Sequence, residues 1–164
     1  MATKKEPIKT SMDIPQKTRK AMIELLNQQL ADTFDLFSHL KQAHWNVKGA
    51  QFIALHKLYD DLAAESLDHV DIIAERATAL GGVAHGTTRM AASNTRLSEF
   101  PDGPIASMDS VAAVVERYAA YGESTRNAIH AAEEAKDMGS ADLFTEIVRA
   151  IDKNLWFLEA HLQA

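Results

Sequence analysis

The sequence predicts an all-α protein, a four-helix bundle whose second and third helices are joined by a long crossover carrying a short helix. Three observations lead there. Apolar residues recur at spacings of three and four in four long stretches, and no stretch alternates as a strand would. The 7 Gly and 4 Pro fall mainly between those stretches. The chain, 164 residues and 46% hydrophobic, is long enough to bury a core as one domain.

The first helix begins just after Pro15, carries Ile23, Leu26, Leu30, Phe34, Phe37 and Leu40 on one stripe, and ends before Gly49. The second runs from about Phe52 to Leu80, where Gly81-Gly82 stops it. Residues 81 to 108 hold Gly81, Gly82, Gly86, Pro101, Gly103 and Pro104, so they form the long connection, with a short helix near Arg89 to Ser93. The third starts near Ser107 or Asp109 and passes through Val111, Val114, Tyr118, Tyr121 and Ile129 to about Ala135. After Met138-Gly139, Ser140 can cap a fourth, with Leu143, Ile147, Ile151, Leu155, Leu158 and Leu162 facing inward. Two short connections and one long one suit the ferritin-like arrangement better than a simple up-down-up-down bundle. Residues 1–15 are expected to be a flexible basic arm and residues 16–164 the bundle.

Several functions are excluded early. Without cysteine there is no disulfide scaffold, thiolate zinc site or cysteine nucleophile. Neither a phosphate-binding G-x-x-x-x-G-K nor a G-x-S-x-G elbow occurs. No apolar run approaches the ~20 residues of a membrane span, and the N-terminus lacks the apolar stretch of a signal peptide, so a soluble, cytoplasmic protein with no membrane partner is expected. The net charge is -6, unevenly spread. Residues 1 to 20 carry six basic side chains against Glu6 and Asp13, a net +4, which leaves -10 on the rest. Such an arm can touch a polyanion that the body repels; a merely solvated tail has the same composition.

Helix two has a chemically mixed face. With His56 at zero and ~100° per residue, Leu55, Tyr59, Leu62, Val70, Ile73, Ala77 and Leu80 form the core stripe. His56, Asp60, Asp71 and Glu75 share another arc with Ala63, Leu67 and Ala74, while Asp61, Glu65 and Asp68 occupy a third, solvated one. Small apolar residues among carboxylates and an imidazole suit a surface that is both packed against something and able to bind metal. His44 extends the inner stripe of helix one. A solvated carboxylate stripe and hydrogen-bonded core histidines are the plainer alternative.

From His56 to Asp71 is ~22 Å of helix rise, so the histidines and the carboxylates Asp71 and Glu75 cannot share one metal within a chain. They can if two copies of helix two pack antiparallel about a two-fold axis near residues 65 and 66, which creates two equivalent sites. His and carboxylate ligands suit Fe(II) or Mn, and also Zn. The repeated Glu-x-x-His of intrasubunit ferritin centres is absent. Either the centre lies between subunits or there is no di-iron centre. The other five histidines, His39, His69, His85, His130 and His161, are read as structural or exposed.

The stretches HWNVKGAQFIALHKLYDDL, DHVDIIAERATALGG and SADLFTEIVRAIDKNLWFLEAHL resemble the Dps family, the DNA-binding proteins from starved cells or mini-ferritins, and the similarity covers nearly everything beyond residue 20. The resemblance implies a four-helix bundle with a short helix in its middle connection, assembled from two-fold dimers into a hollow dodecamer. It implies a ferroxidase centre of two irons in which His44, His56 and Asp60 of one subunit face Asp71 and Glu75 of its neighbour, Asp60 completing a second, weaker position. Trp45 matches a tryptophan beside such centres, an electron donor or an interface ring. The implied chemistry is oxidation of Fe(II), preferably by hydrogen peroxide, with ferric mineral stored inside. Acid-lined pores would be formed from Asp142, Glu146 and Asp137, although an acid in a helix first turn such as Asp142 is favoured by the dipole in any case. DNA binding in this family usually follows a basic terminal extension; Lys4, Lys5 and Lys9 are the candidates, with the nucleoid as the location of a DNA-bound shell. A mainly structural, DNA-compacting protein is the alternative function.

Overall fold

The computed structural model describes residues 8–163. Five helices follow in order: α1 (Gln16–Asn46), α2 (Phe52–Ala79), α3 (Thr88–Asn94), α4 (Ser107–Glu134) and α5 (Met138–Glu159). The long helices form the bundle: α1 packs on α2 and on α4, and α5 packs on α4 and on α2. The crossover with its short α3 joins α2 to α4, as the sequence predicts.

The buried stripe of α1 is rotated slightly from the expected one. Met22, Leu26, Leu30, Leu36, Leu40 and Ala43 are buried, whereas Ile23, Phe34 and Phe37 are half-buried. Polar residues account for the shift. Gln29, Asp32 and Thr33 also lie inside, and the Thr33 hydroxyl is 2.5 Å from that of Tyr121. Asp32 fastens the crossover: Arg96 donates to it from its backbone N at 2.8 Å and from Nε at 2.9 Å and Nη2 at 2.5 Å. An almost fully buried carboxylate needs such partners, because an unpaired one would carry a large desolvation cost.

Two short features were not anticipated. Val47–Lys48 (β1) and Ile105–Ala106 (β2) pair in parallel, Val47 with Ile105 and Lys48 with Ala106. Two residues are too few to produce a readable alternation. The Ser107 hydroxyl donates to the Lys48 carbonyl at 2.7 Å, so the start of α4 is tied to the turn that follows His44. The second feature is the cap of α5, which is Asp137 and not Ser140. The Asp137 carboxylate accepts from the Ser140 backbone N at 3.1 Å and the Ser140 hydroxyl at 2.7 Å, and also pairs with Arg76 of α2 at 2.6 Å.

At the end of α2, Gly81 has φ +86°, and a Cβ there would lie 2.5 Å from the Ile8 carbonyl oxygen. The close approach is used: Ile8 N donates to the Gly81 carbonyl at 2.7 Å. Ile8, grouped with the arm on composition, is thus attached to the bundle. At the other terminus α5 stops at Glu159, which leaves Leu162 beyond the helix and exposed instead of inward-facing. Glu65, expected to be solvated, accepts a hydrogen bond from the buried Asn154 of α5. No helix among the described residues is long and apolar enough to cross a membrane.

Candidate metal centre

α1 and α2 form a tight hairpin, and its turn brings His44 and His56 together. Their rings stack with centroids 3.7 Å apart and planes 19° apart. The contact is reciprocal: His44 Nδ1 lies 2.7 Å from the His56 carbonyl, and His56 Nδ1 lies 2.9 Å from the His44 carbonyl. A carbonyl only accepts, so both Nδ1 atoms carry a proton, and in the neutral form of each ring Nε2 is the nitrogen with the lone pair. This orienting bond on the far nitrogen is the arrangement that metal-ligating histidines require. Phe52 covers His56 at 5.1 Å between ring centroids.

Asp60, one turn beyond His56, accepts a hydrogen bond from Lys41 of α1 at 2.6 Å. That bond is the main reason its carboxyl is held below the usual range, and the nearby His44 and His56 pull in the same direction. Trp45 is 61% exposed, with the Lys41 ammonium 5.7 Å from its ring. Lys41 was not foreseen. Its one-turn spacing before His44 and Trp45 was visible, but its pairing with Asp60 depends on how α1 and α2 register against each other.

Asp71 and Glu75 lie on the same unbroken helix as His56, so the ~22 Å rise to Asp71 holds in the folded chain. Both are exposed, and among the described residues neither carboxylate has a hydrogen bond or ion pair. Between the two ends, Ala63 is buried, Ala74 is half-buried, and Leu67 is 46% exposed. Among the described residues no three ligand-type side chains of one chain converge on a common point. The structure therefore brings His44, His56 and Asp60 to one end of α2 and leaves Asp71 and Glu75 at the other.

The remaining candidates divide. Asp142 and Glu146 are exposed one turn apart on α5, whereas Asp137 is buried under Arg76. Lys9 is exposed; Lys4 and Lys5 lie outside the described residues. Of the other histidines, His85, His130 and His161 are exposed, while His39 and His69 are buried with Nδ1 unpaired. Burial lowers both from their ordinary 6.5. Asp35 opposes the shift at His39, and Glu65, Glu146 and Asp68 oppose it at His69.

Comparison with known proteins agrees with this architecture. A family model described as a ferritin-like domain matches residues 23–164. The chain is 43% identical over 155 residues, 94% of this chain and 96% of the relative, to a DNA protection during starvation protein of Agrobacterium fabrum. It is 34% identical to DNA protection during starvation protein 2 of Bacillus anthracis, over 87% of this chain and 97% of that protein. Solved structures agree: DpsA14 from Streptomyces coelicolor superposes with a TM-score of 0.92 at 31% identity, covering 97% of this chain and 94% of that one. Mycobacterium smegmatis Dps does so with 0.91 at 29% identity, covering 95% of each chain. By its sequence, its helix order and its crossover, the chain belongs to the Dps family of ferritin-like proteins.

Proposed function

We propose that this protein oxidises and stores iron, at centres completed by two copies of the chain, and thereby protects DNA from iron and peroxide. The observation that carries the reading is a contrast of the two ends of α2: at one, the imidazoles of His44 and His56 with both Nδ1 atoms committed to carbonyls, and ~22 Å along the helix two carboxylates with no partner among the described residues. An antiparallel pairing of α2 with its copy, across the exposed Leu67, would set each imidazole pair opposite the other chain's Asp71 and Glu75 and create two equal sites; Ala63, expected on this face, belongs instead to the chain's own core. By the family resemblance these dimers build a dodecamer.

Iron is the substrate. Asp71 and Glu75 anchor Fe(II), His44 and His56 supply neutral nitrogen ligands, and Asp60 holds the second ion. Two Fe(II) each give up one electron, and hydrogen peroxide takes both electrons and two protons as its O–O bond breaks, leaving as two waters. Paired delivery matters because a single electron would release hydroxyl radical. Trp45, the residue after His44, would supply an electron when only one iron is present. Asp142 and Glu146 are the entry carboxylates, and ferric product collects inside the shell.

Anaerobic loading with Fe(II) followed by peroxide tests the reading. About two Fe(II) consumed per peroxide, with a growing ferric absorbance, is expected from two-electron pairing. Consumption near one to one, with trapped hydroxyl radical, would contradict it.

Direct DNA contact is a second part of the proposal, supported by the exposed Lys9 and the +4 charge of residues 1 to 20. Many weak arms on one shell add up, although the -10 bodies oppose them. This places the protein in the cytoplasm, at the nucleoid when DNA is bound. Replacing Lys4, Lys5 and Lys9 with Gln should weaken retention of DNA and flatten its salt dependence while iron oxidation continues. Unchanged retention would remove the arm from the account.

A further inference from the structure

A cleft of about 460 Å³ opens between α1 and the crossover and uses none of the residues of the metal centre. Asp35 and His39 of α1 line one side, and Leu97, Glu99, Phe100 and Asp102 of the crossover line the other. The crossover side is fastened at several points. Gln28 Nε2 donates to the Asn94 carbonyl at 2.8 Å, Arg96 is clamped on Asp32, and Arg117 Nη2 donates to the Glu99 carbonyl. The Phe100 ring lies 5.6 Å from that of His39 between centroids. A wall held in this way is already in place when a ligand arrives, so less ordering entropy is lost on binding.

His39 is only 8% exposed, and its Nδ1 has no hydrogen-bond partner. Its Nε2 lies 3.4 Å from Asp35 Oδ1. Burial lowers its pKa from the ordinary 6.5, so at neutral pH the ring carries one proton. With that proton on Nε2, facing the carboxylate, Nδ1 is a bare acceptor in the wall of the cleft. A buried acceptor left without a donor is costly, and a ligand that brings an N–H removes the cost. Glu99 and Asp102 are exposed, and among the described residues their carboxylates have neither hydrogen bond nor ion pair. No lysine or arginine lines the cleft among the described residues. Arg117, 5.5 Å from the Phe100 ring, is already paired with Glu116.

Three carboxylates and a lone-pair nitrogen call for a cation that donates N–H groups. Leu97 and Phe100 add an apolar surface of the kind that takes the methylene stem of an ammonium group. A bare metal ion matches less well, because the cleft is far larger than one ion and no three ligand-type side chains converge among the described residues. We propose that this cleft binds an aliphatic polyamine, whose ammonium groups pair with Asp35, Glu99 and Asp102 and donate to His39 Nδ1 while its methylene chain lies against Leu97 and Phe100.

The test is calorimetric titration of the assembled, iron-free protein with spermidine. Wild type should bind about one spermidine per chain, saturably, and should keep it when NaCl is replaced by MgCl2 at equal ionic strength. Glu99→Gln with Asp102→Asn should weaken binding roughly tenfold, the scale of losing two exposed ion pairs. Ala92, exposed on α3, also lines the cleft, and Ala92→Phe should block binding by filling space without changing any charge. Asp109→Asn with Glu134→Gln removes two exposed charges elsewhere and should leave affinity within about twofold. No saturable binding in wild type, or equal weakening by the two double variants, would reduce the effect to diffuse attraction and overturn the site. Displacement by MgCl2, or full affinity in Ala92→Phe, would equally overturn a polyamine seated in this cleft.

Discussion

The two ends of α2 make opposite use of polar side chains. At the N-terminal end each group has a partner: the two imidazoles hold each other's carbonyls, and Asp60 holds Lys41. At the C-terminal end Asp71 and Glu75 stand exposed without a partner among the described residues, on a face that continues through the exposed Leu67. The ligand-type groups at one end are organised in advance by their own chain; the two carboxylates at the other are not, although Arg76 beside Glu75 is held by Asp137. A site shared across a two-fold axis looks like this in a single copy, because each half is stabilised only as far as its own subunit requires.

The difference between the two ends can be measured. Replacing Asp71 and Glu75 with Ala should reduce fast Fe(II) oxidation more than about a hundredfold, beyond the ten- to hundredfold typical of losing an outer partner of a ligand. It should leave the thermal stability of the chain nearly unchanged, since both residues are exposed. Replacing His44 and His56 with Ala should be as damaging to oxidation and should also destabilise the fold, by about 1 kcal/mol for each hydrogen bond lost. Melting curves of both variants check the contrast; equal destabilisation would erase it.

The middle of the helix should affect assembly. Leu67→Glu puts like charges opposite each other if the axis runs nearby, and sedimentation should then show species smaller than the wild-type shell with helical content retained. A shell of unchanged size would move the axis away from Leu67.

A smaller effect separates the stacked histidines from the buried His39 and His69. Burial lowers the pKa of His39 from 6.5, so below that pH an unfolded chain takes up a proton that the folded one resists. The unfolded state then binds more protons, and stability falls as pH drops below 6.5 towards the lower folded value, with no contribution above it. His69 acts in the same direction. Thermal melts between about pH 7.5 and 5.5 should show this loss, and His39→Gln should reduce its slope. An identical slope in the variant would mean that His39 does not carry it.

The helices, the crossover with its short helix and the core stripe of α2 were legible because periodicity, glycines and prolines act locally. Features that depend on how helices register were not. The Arg96–Asp32 clamp joins residues far apart in sequence, Asn154 reaches Glu65 across the α2–α5 contact, and Asp137 displaced Ser140 as the cap because Arg76 pairs with it. Within the candidate centre, spacing along α2 put His56, Asp60, Asp71 and Glu75 on one arc, His44 extended the stripe of α1, and the family resemblance grouped the five as one ligand set. The mutual lock of the imidazoles and the lysine on Asp60 need the three-dimensional hairpin.

The most direct test of the shared centre mixes the two half-sites. Chains lacking the imidazoles (His44→Ala with His56→Ala) and chains lacking the carboxylates (Asp71→Ala with Glu75→Ala) are co-assembled from denatured material in equal amounts, and mixed shells are verified by mass spectrometry. In a mixed dimer one site receives both defects and the other receives none, and random pairing makes about half of the dimers mixed. About a quarter of all sites should therefore be whole, and fast Fe(II) oxidation should return to roughly that fraction of the wild-type rate. Mixed shells that remain as inactive as either parent would show that no centre is shared in this way.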